Sequence, residues 1–189
     1  GATRLPGKVL KRMGDNALLD FQISRIKEAK NIDTIVVATT VEDADDEIED
    51  FCNEKGILCF RGSENDVLSR YYGAAKKFSS DIIIRITADC PLIDPTLLDQ
   101  MISKFLNSNF DYLSNTLNPT YPDGYDIEIF NFKTLKETFL KAKKSIDKEH
   151  VTSYIKRNKI KFKVENFSHL RNLSNLRLTI DEEDDFKLI

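Results

Sequence analysis

The first eight residues combine small, hydroxylic and basic side chains in a pattern suited to binding phosphate. They read Gly-Ala-Thr-Arg-Leu-Pro-Gly-Lys, with Arg4 and Lys8 as the two cations. Small residues let backbone N–H groups approach phosphate oxygens, and an Arg can bind phosphate through two parallel hydrogen bonds. The spacing differs from the P-loop pattern G-x-x-x-x-G-K-[ST]. Composition alone leaves two interpretations open, an anion-binding loop and a frayed basic terminus.

Two aspartates each follow a run of apolar, β-branched residues that predicts a strand. Asp89 comes after residues 81–87 (DIIIRIT), and Asp181 comes after residues 176–180 (LRLTI). Carboxylate oxygens are hard ligands, and Mg²⁺ in proteins takes one or two of them together with substrate phosphates. The alternatives are structural: Asp89 would form a turn beside Pro91, and Asp181 would cap a final acidic helix.

A third group of polar residues could hold the hydroxyl groups of a sugar. Asp126 and Glu128 are two positions apart in a predicted strand, so their side chains would point to the same side. Both could equally face solvent. His150 lies in a predicted helix, where a lone histidine is more often structural than catalytic. No Ser-His-Asp or Cys-His arrangement is apparent in the sequence.

The elements that would position these residues alternate between strand-like and helix-like patterns, which predicts an α/β fold with a mainly parallel sheet. Helices are predicted at residues 16–30, 43–55, 63–78, 94–105, 133–143 and 147–157. Strands are predicted at residues 34–39, 57–60, 81–87, 110–114, 125–130, 161–166 and 176–180. In open α/β sheets ligands bind beyond the carboxyl ends of the strands. Residues that directly follow strands are therefore the candidates for a site.

Composition excludes several classes of function. The chain of 189 residues has 28 Lys and Arg against 31 Asp and Glu, a net charge of −3. Neither nucleic acid nor an anionic membrane is therefore expected as a partner. No apolar run approaches the roughly 20 residues that span a bilayer. Three cysteines without paired spacing argue against a disulfide framework and a zinc site. We expect reduced thiols, one domain over residues 1–189 and a cytoplasmic location.

Eight segments, in order along nearly the whole chain, resemble the CTP-dependent sugar-acid cytidylyltransferases. They are ATRLPGKVL, IVVATT, FRGSENDVLSRYYGAAK, IIRITADCPLIDP, DYLSNTL, PDGYDIEIF, KEHVTSYI and LRLTIDEEDD. This family includes CMP-Kdo synthetase, acylneuraminate cytidylyltransferase and the spore-coat polysaccharide biosynthesis protein F group, and the resemblance is closest to the last of these.

The resemblance implies a fold, a reaction and partners. The fold would be the three-layer nucleotide-diphospho-sugar transferase type, with a mixed, mainly parallel central sheet. The reaction would transfer CMP from CTP to a sugar acid and release pyrophosphate, in surface polysaccharide or spore-coat biosynthesis. Mg²⁺ would be the cofactor, and a homodimer is expected because the family is often dimeric.

The resemblance also implies roles for eleven residues. The residues expected at the CTP phosphates and the reacting centre are Arg4, Lys8 and Asp89. Those expected to hold the metal are Asp89 and Asp181. Those expected near the cytosine and ribose are Arg61, Gly62, Ser63 and Thr87. Those expected on the sugar side are Asp126, Glu128 and His150.

The sequence differs from the family pattern at its ends. Members normally begin with a strand before the ATRLPGK loop, whereas here the loop starts at residue 1 and the chain stops soon after Asp181. We therefore expect a chain that lacks the first strand and is truncated at its end. Two other functions stay open: another nucleotide-sugar-dependent glycosyltransferase and a non-catalytic nucleotide-binding paralogue. The Asp-x-Asp motif typical of glycosyltransferases has a weak match in residues 43–46, which predict the first turn of a helix.

Overall fold

The computed structural model describes residues 7–188, in which strands and helices alternate. The strands within this range are β1 (Arg12–Met13), β2 (Asn16–Ala17), β3 (Val36–Thr40), β4 (Leu58–Gly62), β5 (Ile82–Arg85), β6 (Tyr112–Ser114), β7 (Glu128–Asn131) and β8 (Val164–Asn166). The helices are α1 (Leu18–Lys27), α2 (Asp46–Lys55), α3 (Val67–Lys77), α4 (Pro95–Leu106), α5 (Phe132–Lys141), α6 (Ser145–Glu149), α7 (Ser153–Arg157) and α8 (Glu183–Leu188). Short 3₁₀ turns at Lys8–Leu10 and Asp43–Asp45 precede β1 and α2.

The described strands form three sheets. A four-stranded sheet has the order β5-β7-β6-β8, in which β7 runs antiparallel to both of its neighbours and β6 runs parallel to β8. Strands β3 and β4 form a separate parallel pair, and β1 and β2 form a small antiparallel hairpin. The predicted α/β fold with a mixed sheet is thus confirmed.

More of the strand pairs in the four-stranded sheet are antiparallel than the sequence predicts, because of the connection between β6 and β7. A parallel neighbour requires a crossover, usually through a helix. Residues 115–127, which join β6 to β7, contain no helix. The chain therefore returns in the opposite direction, and β7 joins β5 to β6 with antiparallel register on both sides.

Alternating side chains of the four-stranded sheet belong to two different cores. Leu113 and Ile129 are directly opposite each other and pack with residues of α1 and α4. Their neighbours Tyr112 and Phe130 are also opposite each other, but pack with residues of α3, α5 and α7. Because successive side chains of a strand point to opposite faces, the sheet lies between two layers of helices.

Two of the predicted helices differ from the structure: one begins later than predicted and the other is divided in two. Helix α3 starts at Val67, because the carboxylate of Asp66 accepts a hydrogen bond from the Ser69 N–H at 2.9 Å and so caps the helix. The Ser63 hydroxyl instead accepts from the Asp66 N–H, which is a turn before the helix. The single helix predicted at residues 147–157 is divided into α6 and α7 by Val151, whose φ of 53° ends the helical path.

The segment before Asp181 is extended but does not form the strand predicted for residues 176–180. Its backbone bonds to a loop: the Leu178 N–H donates to Asp123 O at 2.7 Å, and one isolated parallel bridge joins Asp123 to Arg177. By contrast, the predicted cap of α4 is confirmed. The Asp94 carboxylate accepts from the Thr96 N–H at 2.8 Å, directly before Pro95.

The described helices are all too short or too polar to cross a bilayer. The three cysteines, Cys52, Cys59 and Cys90, are free thiols in this structure.

Candidate active site

Asp89 lies in a tight turn just beyond the carboxyl end of β5. The turn is closed by the Cys90 N–H, which donates to Thr87 O at 3.1 Å. The Thr87 hydroxyl donates to Asp89 Oδ1, and the Cys90 thiol lies 3.6 Å from the same oxygen. Burial, reinforced by the charge of Asp89, raises the pKa of Cys90 to about 12, so the thiol stays neutral and donates. Asp89 is therefore held in one orientation through a single carboxylate oxygen.

Asp181 is next to this turn, although it is far away in sequence. The backbone N–H of Ile180 donates to Asp89 O at 3.0 Å, so the two segments that carry the aspartates are directly joined. Ile180 itself is fully buried and anchors the segment in the protein. The structure thus brings the segments of Asp89 and Asp181 together, as expected, although residues 176–180 do not form a strand.

Lys8 lies against Asp181 rather than extending into solvent. The residue is 8% exposed, and its Nζ donates to Ile180 O at 2.7 Å and to Asp181 Oδ1 at 3.3 Å. A buried ammonium needs such partners, because desolvation without them is costly. Lys8, Asp89 and Asp181 therefore form one cluster. Arg4 lies outside the described residues.

The structure removes the interpretation of Asp181 as an ordinary helix cap. The carboxylate of Asp185 accepts hydrogen bonds from the backbone N–H groups of Asp181 and Glu182, at 2.9 and 3.0 Å. The side chain of Asp181 points instead to cations, with Arg177 Nη2 at 2.9 Å from Oδ2. Arg177 also binds Asp185 at 2.5 Å, which fixes the start of α8 relative to the cluster.

A glycine allows the loop before β7 to pack against the segment that carries Asp181. Gly124 has φ of 106°, and a Cβ there would lie 2.7 Å from the backbone carbon of Leu178. Two residues after this glycine, burial, with the negative charges of Asp123, Asp89 and Glu128, raises the pKa of Asp126 to about 6. Asp126 therefore lies in the same electrostatic environment as Asp89.

Glu128, two residues further on, is at the centre of a buried ionic network. It is 3% exposed. Its carboxylate forms ion pairs with Arg85 Nη1 and with Lys156 Nζ at 2.8 Å. It also accepts hydrogen bonds from Tyr112 Oη at 2.5 Å and Thr152 Oγ1 at 2.7 Å. Burial by itself would raise the pKa of Glu128, but Arg85 and Lys156 outweigh it and lower the pKa to about 2. These contacts occupy Glu128, and its predicted contact with the sugar remains untested.

We expect the replacement Glu128→Gln to destabilise the fold by about 3 kcal/mol, because it leaves two cations without their buried counter-charge. Since the pKa of Glu128 in the folded protein lies below its ordinary value of 4.5, the carboxylate contributes its full stabilisation at any pH above 4.5. This contribution is lost as the pH falls from about 4.5 to about 2. Urea unfolding of both proteins between pH 3 and 8 measures it.

The control for this experiment is Glu165→Gln, which removes a carboxylate from a half-exposed pair with Lys104. An exposed ion pair contributes about 0–1 kcal/mol, so this variant should unfold like the parent. Equal stability of Glu128→Gln and the parent at pH 7 would contradict the assigned role of the network.

The residues expected near cytosine and ribose lie at the carboxyl ends of strands, but Arg61 is engaged elsewhere. Its guanidinium binds Asp46 at 2.6 Å and Glu49 at 2.8 Å, both on α2, and its Nε donates to Thr40 O. Gly62 ends β4, and Ser63 O accepts from Arg70 at 2.8 Å. These contacts tie β4 to its neighbours, so a nucleotide role of Arg61 would require exchange of its partners.

His150 makes no direct hydrogen bond to the aspartate cluster among the described residues. It follows α6 and is exposed, and its carbonyl oxygen accepts from the Thr152 N–H and lies 3.4 Å from the Thr152 hydroxyl. Because Thr152 also donates to Glu128, the connection of His150 to the site is indirect and runs through its backbone.

The donor set fits a divalent cation that is completed by substrate oxygens. Within residues 7–188, no group of three or more His, Cys, Asp or Glu side chains is placed to hold a metal by itself. Two carboxylates on one edge, Asp89 and Asp181, still match the one or two that Mg²⁺ takes beside phosphates. Both donors to Asp89 reach Oδ1, so that among the described residues none donates to Oδ2.

Sequence reasoning found both aspartates but missed the residues that hold them. Gln22 donates from Nε2 to Thr87 O at 2.8 Å and to Cys90 O at 2.9 Å. Arg177 holds Asp181. A polar residue on the apolar face of a predicted helix is a signal for a buried contact, and Gln22 lies between Leu19 and Ile23 on such a face. No local signal identifies Arg177.

The profile of the cytidylyltransferase family matches residues 1–186, which is almost the whole chain. The chain belongs to the cytidylyltransferase family. It is therefore a CTP-dependent nucleotidyltransferase, and enzymes of this family generally use a divalent metal ion.

Individual cytidylyltransferases and related proteins resemble the chain over its full length. It is 36% identical over 196 residues to the spore coat polysaccharide biosynthesis protein SpsF of Bacillus subtilis, covering 100% of this chain and 80% of that protein. A cytidylyltransferase structure from Leptospira borgpetersenii is 40% identical with a TM-score of 0.94, covering 98% of this chain and 79% of the other.

A more distant cytidylyltransferase structure supports the fold. CMP:2-keto-3-deoxy-manno-octonic acid synthetase, complexed with CTP, has a TM-score of 0.72 at 13% identity. The match covers 100% of this chain and 92% of that one. The predicted nucleotidyltransferase fold is thus confirmed.

Proposed function

We propose that this cytidylyltransferase transfers CMP from CTP to a sugar acid, with release of pyrophosphate, in the biosynthesis of a surface polysaccharide. The observation that carries the proposal is the convergence of Lys8, Asp89 and Asp181, which are joined through the Ile180 backbone. The names of the relatives support the acceptor class, since they include a spore coat polysaccharide protein and cytidylyltransferases for octulosonates.

The reaction we propose is an in-line displacement at the α-phosphorus of CTP. A hydroxyl oxygen of the sugar acid forms the new bond to phosphorus, the bond to the pyrophosphate oxygen breaks, and the hydroxyl proton is released. Positioning and neutralisation of charge supply most of the catalysis in phosphate transfer. The protein must therefore place cations beside the phosphates and keep its carboxylates oriented.

Within this reaction, the described residues have distinct roles. Asp89 and Asp181 would hold Mg²⁺, which when bound supplies Lewis-acid stabilisation of phosphate charge. Lys8 would neutralise charge on the leaving pyrophosphate, together with Arg4. Thr87 orients Asp89 by donating to Oδ1. Asp126 would face the sugar, because it is close enough for its charge to interact with that of Asp89.

The remaining assignments belong to the same proposal. Arg61, Gly62 and Ser63 would contact the cytosine and ribose once Arg61 exchanges its partners on α2. Glu128 and His150 would shape the sugar side from behind Asp126. We further propose that the protein is a homodimer. We also propose that it is cytoplasmic, since its free thiols are consistent with a reducing compartment.

A screen of pyrophosphate release tests the proposal directly. The purified protein is incubated with each of the four nucleoside triphosphates and a panel of sugar acids, with Mg²⁺ or with EDTA. We expect pyrophosphate from CTP with one class of sugar acid, and none with EDTA. Each neutral sugar that corresponds to an acid of the panel is the matched control. Release from another triphosphate, or with neutral sugars alone, would contradict the proposed function.

A further inference from the structure

Gln22 is a buried polar residue that spans the turn carrying Asp89. Its side chain, on α1, is 4% exposed, and Nε2 donates to both Thr87 O and Cys90 O. These oxygens belong to the two residues whose own hydrogen bond closes the turn. An amide group carries two N–H donors without a charge, so it can satisfy both carbonyl groups in a buried place.

The chemistry of the position restricts which side chain can do this. A buried carbonyl oxygen without a donor costs free energy. Thr87 O also accepts from the Cys90 N–H, whereas the Cys90 O depends on Gln22 among the described residues. A Lys or Arg would supply donors but would bring an unpaired charge into the interior. A carboxylate would place acceptors against acceptors. Gln22 therefore fixes the turn from behind, on the side away from the ligand edge.

Helix α1 also contacts the other two parts of the cluster. Leu18 lies one helical turn before Gln22, is fully buried, and packs in the same small core as Ile180. The Leu18 N–H donates to Lys11 O at 2.9 Å, and Lys11 closes the 3₁₀ turn that begins with Lys8. Because positions four apart in a helix lie on one face, one face of α1 contacts all three segments.

We propose that Gln22 is a positioning residue that sets the placement of Asp89 relative to Asp181. This inference rests on the proposed metal role of the two aspartates. Gln22 acts through the backbone of Thr87 and Cys90 and does not itself touch the ligand edge. If the turn loses these two bonds, the carboxylate of Asp89 is no longer held at the same distance from the Asp181 segment.

Two substitutions separate hydrogen bonding from packing. Gln22→Met keeps the length of the side chain but removes both donors. Gln22→Glu keeps the shape of the side chain but places carboxylate oxygens, which are acceptors, against the carbonyl oxygens of Thr87 and Cys90. The two measurements are the affinity for Mn²⁺, by electron paramagnetic resonance, and the kcat and KM for CTP. Supporting groups behind metal ligands typically change affinity or activity by roughly 10–100-fold, so we expect a loss in this range for Gln22→Met and a larger one for Gln22→Glu.

The matched control is Leu135→Ala, a core truncation on α5, which lies on the opposite face of the sheet. It lowers stability but should leave the Mn²⁺ affinity and the kcat of the folded protein unchanged. Amide hydrogen exchange at Cys90 provides a second readout, because its N–H closes the turn. We expect faster exchange there in Gln22→Met than in Leu135→Ala.

The outcomes distinguish this inference from the proposed function. If Asp89→Asn lowers Mn²⁺ affinity while Gln22→Met matches the parent in affinity, kinetics and Cys90 exchange, the inference about Gln22 is wrong and the proposed function stands. If Asp89→Asn itself leaves Mn²⁺ affinity unchanged, the metal role in the proposed function is wrong, and the inference about Gln22 is overturned with it.

Discussion

Replacement of Asp89 by Asn should lower the rate of pyrophosphate release by about 100-fold or more, the range for removal of one preorganised electrostatic group. The Asn side chain has the same size and still accepts from the Thr87 hydroxyl, so the turn should keep its shape. What it loses is the negative charge beside the segment of Asp181. Turnover at saturating CTP and Mg²⁺ measures the effect.

The control for this prediction is Asp94→Asn, the same substitution five residues along the chain. Asp94 caps α4 through the backbone N–H groups of Thr96 and Leu97, and Asn caps helices equally well. This variant should keep the activity and stability of the parent. If Asp89→Asn retains activity within a few-fold of the parent, Asp89 does not have the proposed role.

The second large effect is expected at Lys8. Replacement by Met should lower kcat/KM for CTP by about 100-fold, because a buried cation that would face the phosphates is removed. It also removes the hydrogen bonds of Lys8 to Ile180 O and Asp181 Oδ1, so we expect some loss of thermal stability. Lys8→Arg should rescue activity poorly, since the planar guanidinium does not fit a site built around an ammonium.

Lys11 offers a matched control three residues away. It forms an ion pair with Glu183 at 2.7 Å, in which the Lys11 side chain is 36% exposed and that of Glu183 57%. Such pairs contribute little to stability. Lys11→Met should therefore change neither kcat/KM nor the melting temperature appreciably. Comparable losses in Lys8→Met and Lys11→Met would show that the effect comes from the general charge of the loop and not from a specific contact of Lys8.

The positions of the two aspartates could be predicted because a general rule applies to them. Residues that follow strands in an α/β protein collect at one edge of the sheet, and Asp89 follows β5. Asp181 lies beside Asp89 although the strand predicted before it does not form. The cap at Asp94 was predictable for a similar reason, since the signal lies in adjacent residues. In each case the information is local, or follows from the layer architecture.

Other features depend on contacts between distant parts of the chain. Strand periodicity places Asp126 and Glu128 on the same side, but β7 begins at Glu128 and Asp126 precedes it. The burial of Glu128 depends on Arg85, 43 residues away, and on Lys156 from α7. No rule of strand spacing predicts that those cations meet there.

At Asp181 the sequence leaves a helix cap open as an alternative to metal binding, and the contacts of the side chain disfavour the cap. A carboxylate before an acidic helix is typically a cap. Here Lys8 and Arg177 attract it, while Asp185 satisfies the backbone N–H groups. Arg177 and Asp185 each lie four residues from Asp181, but Lys8 comes from the opposite end of the described chain, so a short sequence window shows only part of this competition.

The central claim is that Asp89 and Asp181 bind one divalent cation at the same edge. Titration of Mn²⁺ in the presence of CTP, followed by electron paramagnetic resonance, tests it in the parent protein, Asp89→Asn and Asp181→Asn. We expect each substitution to weaken Mn²⁺ binding by about tenfold or more. Binding of Mn²⁺ with the parent's affinity by either variant would contradict the claim.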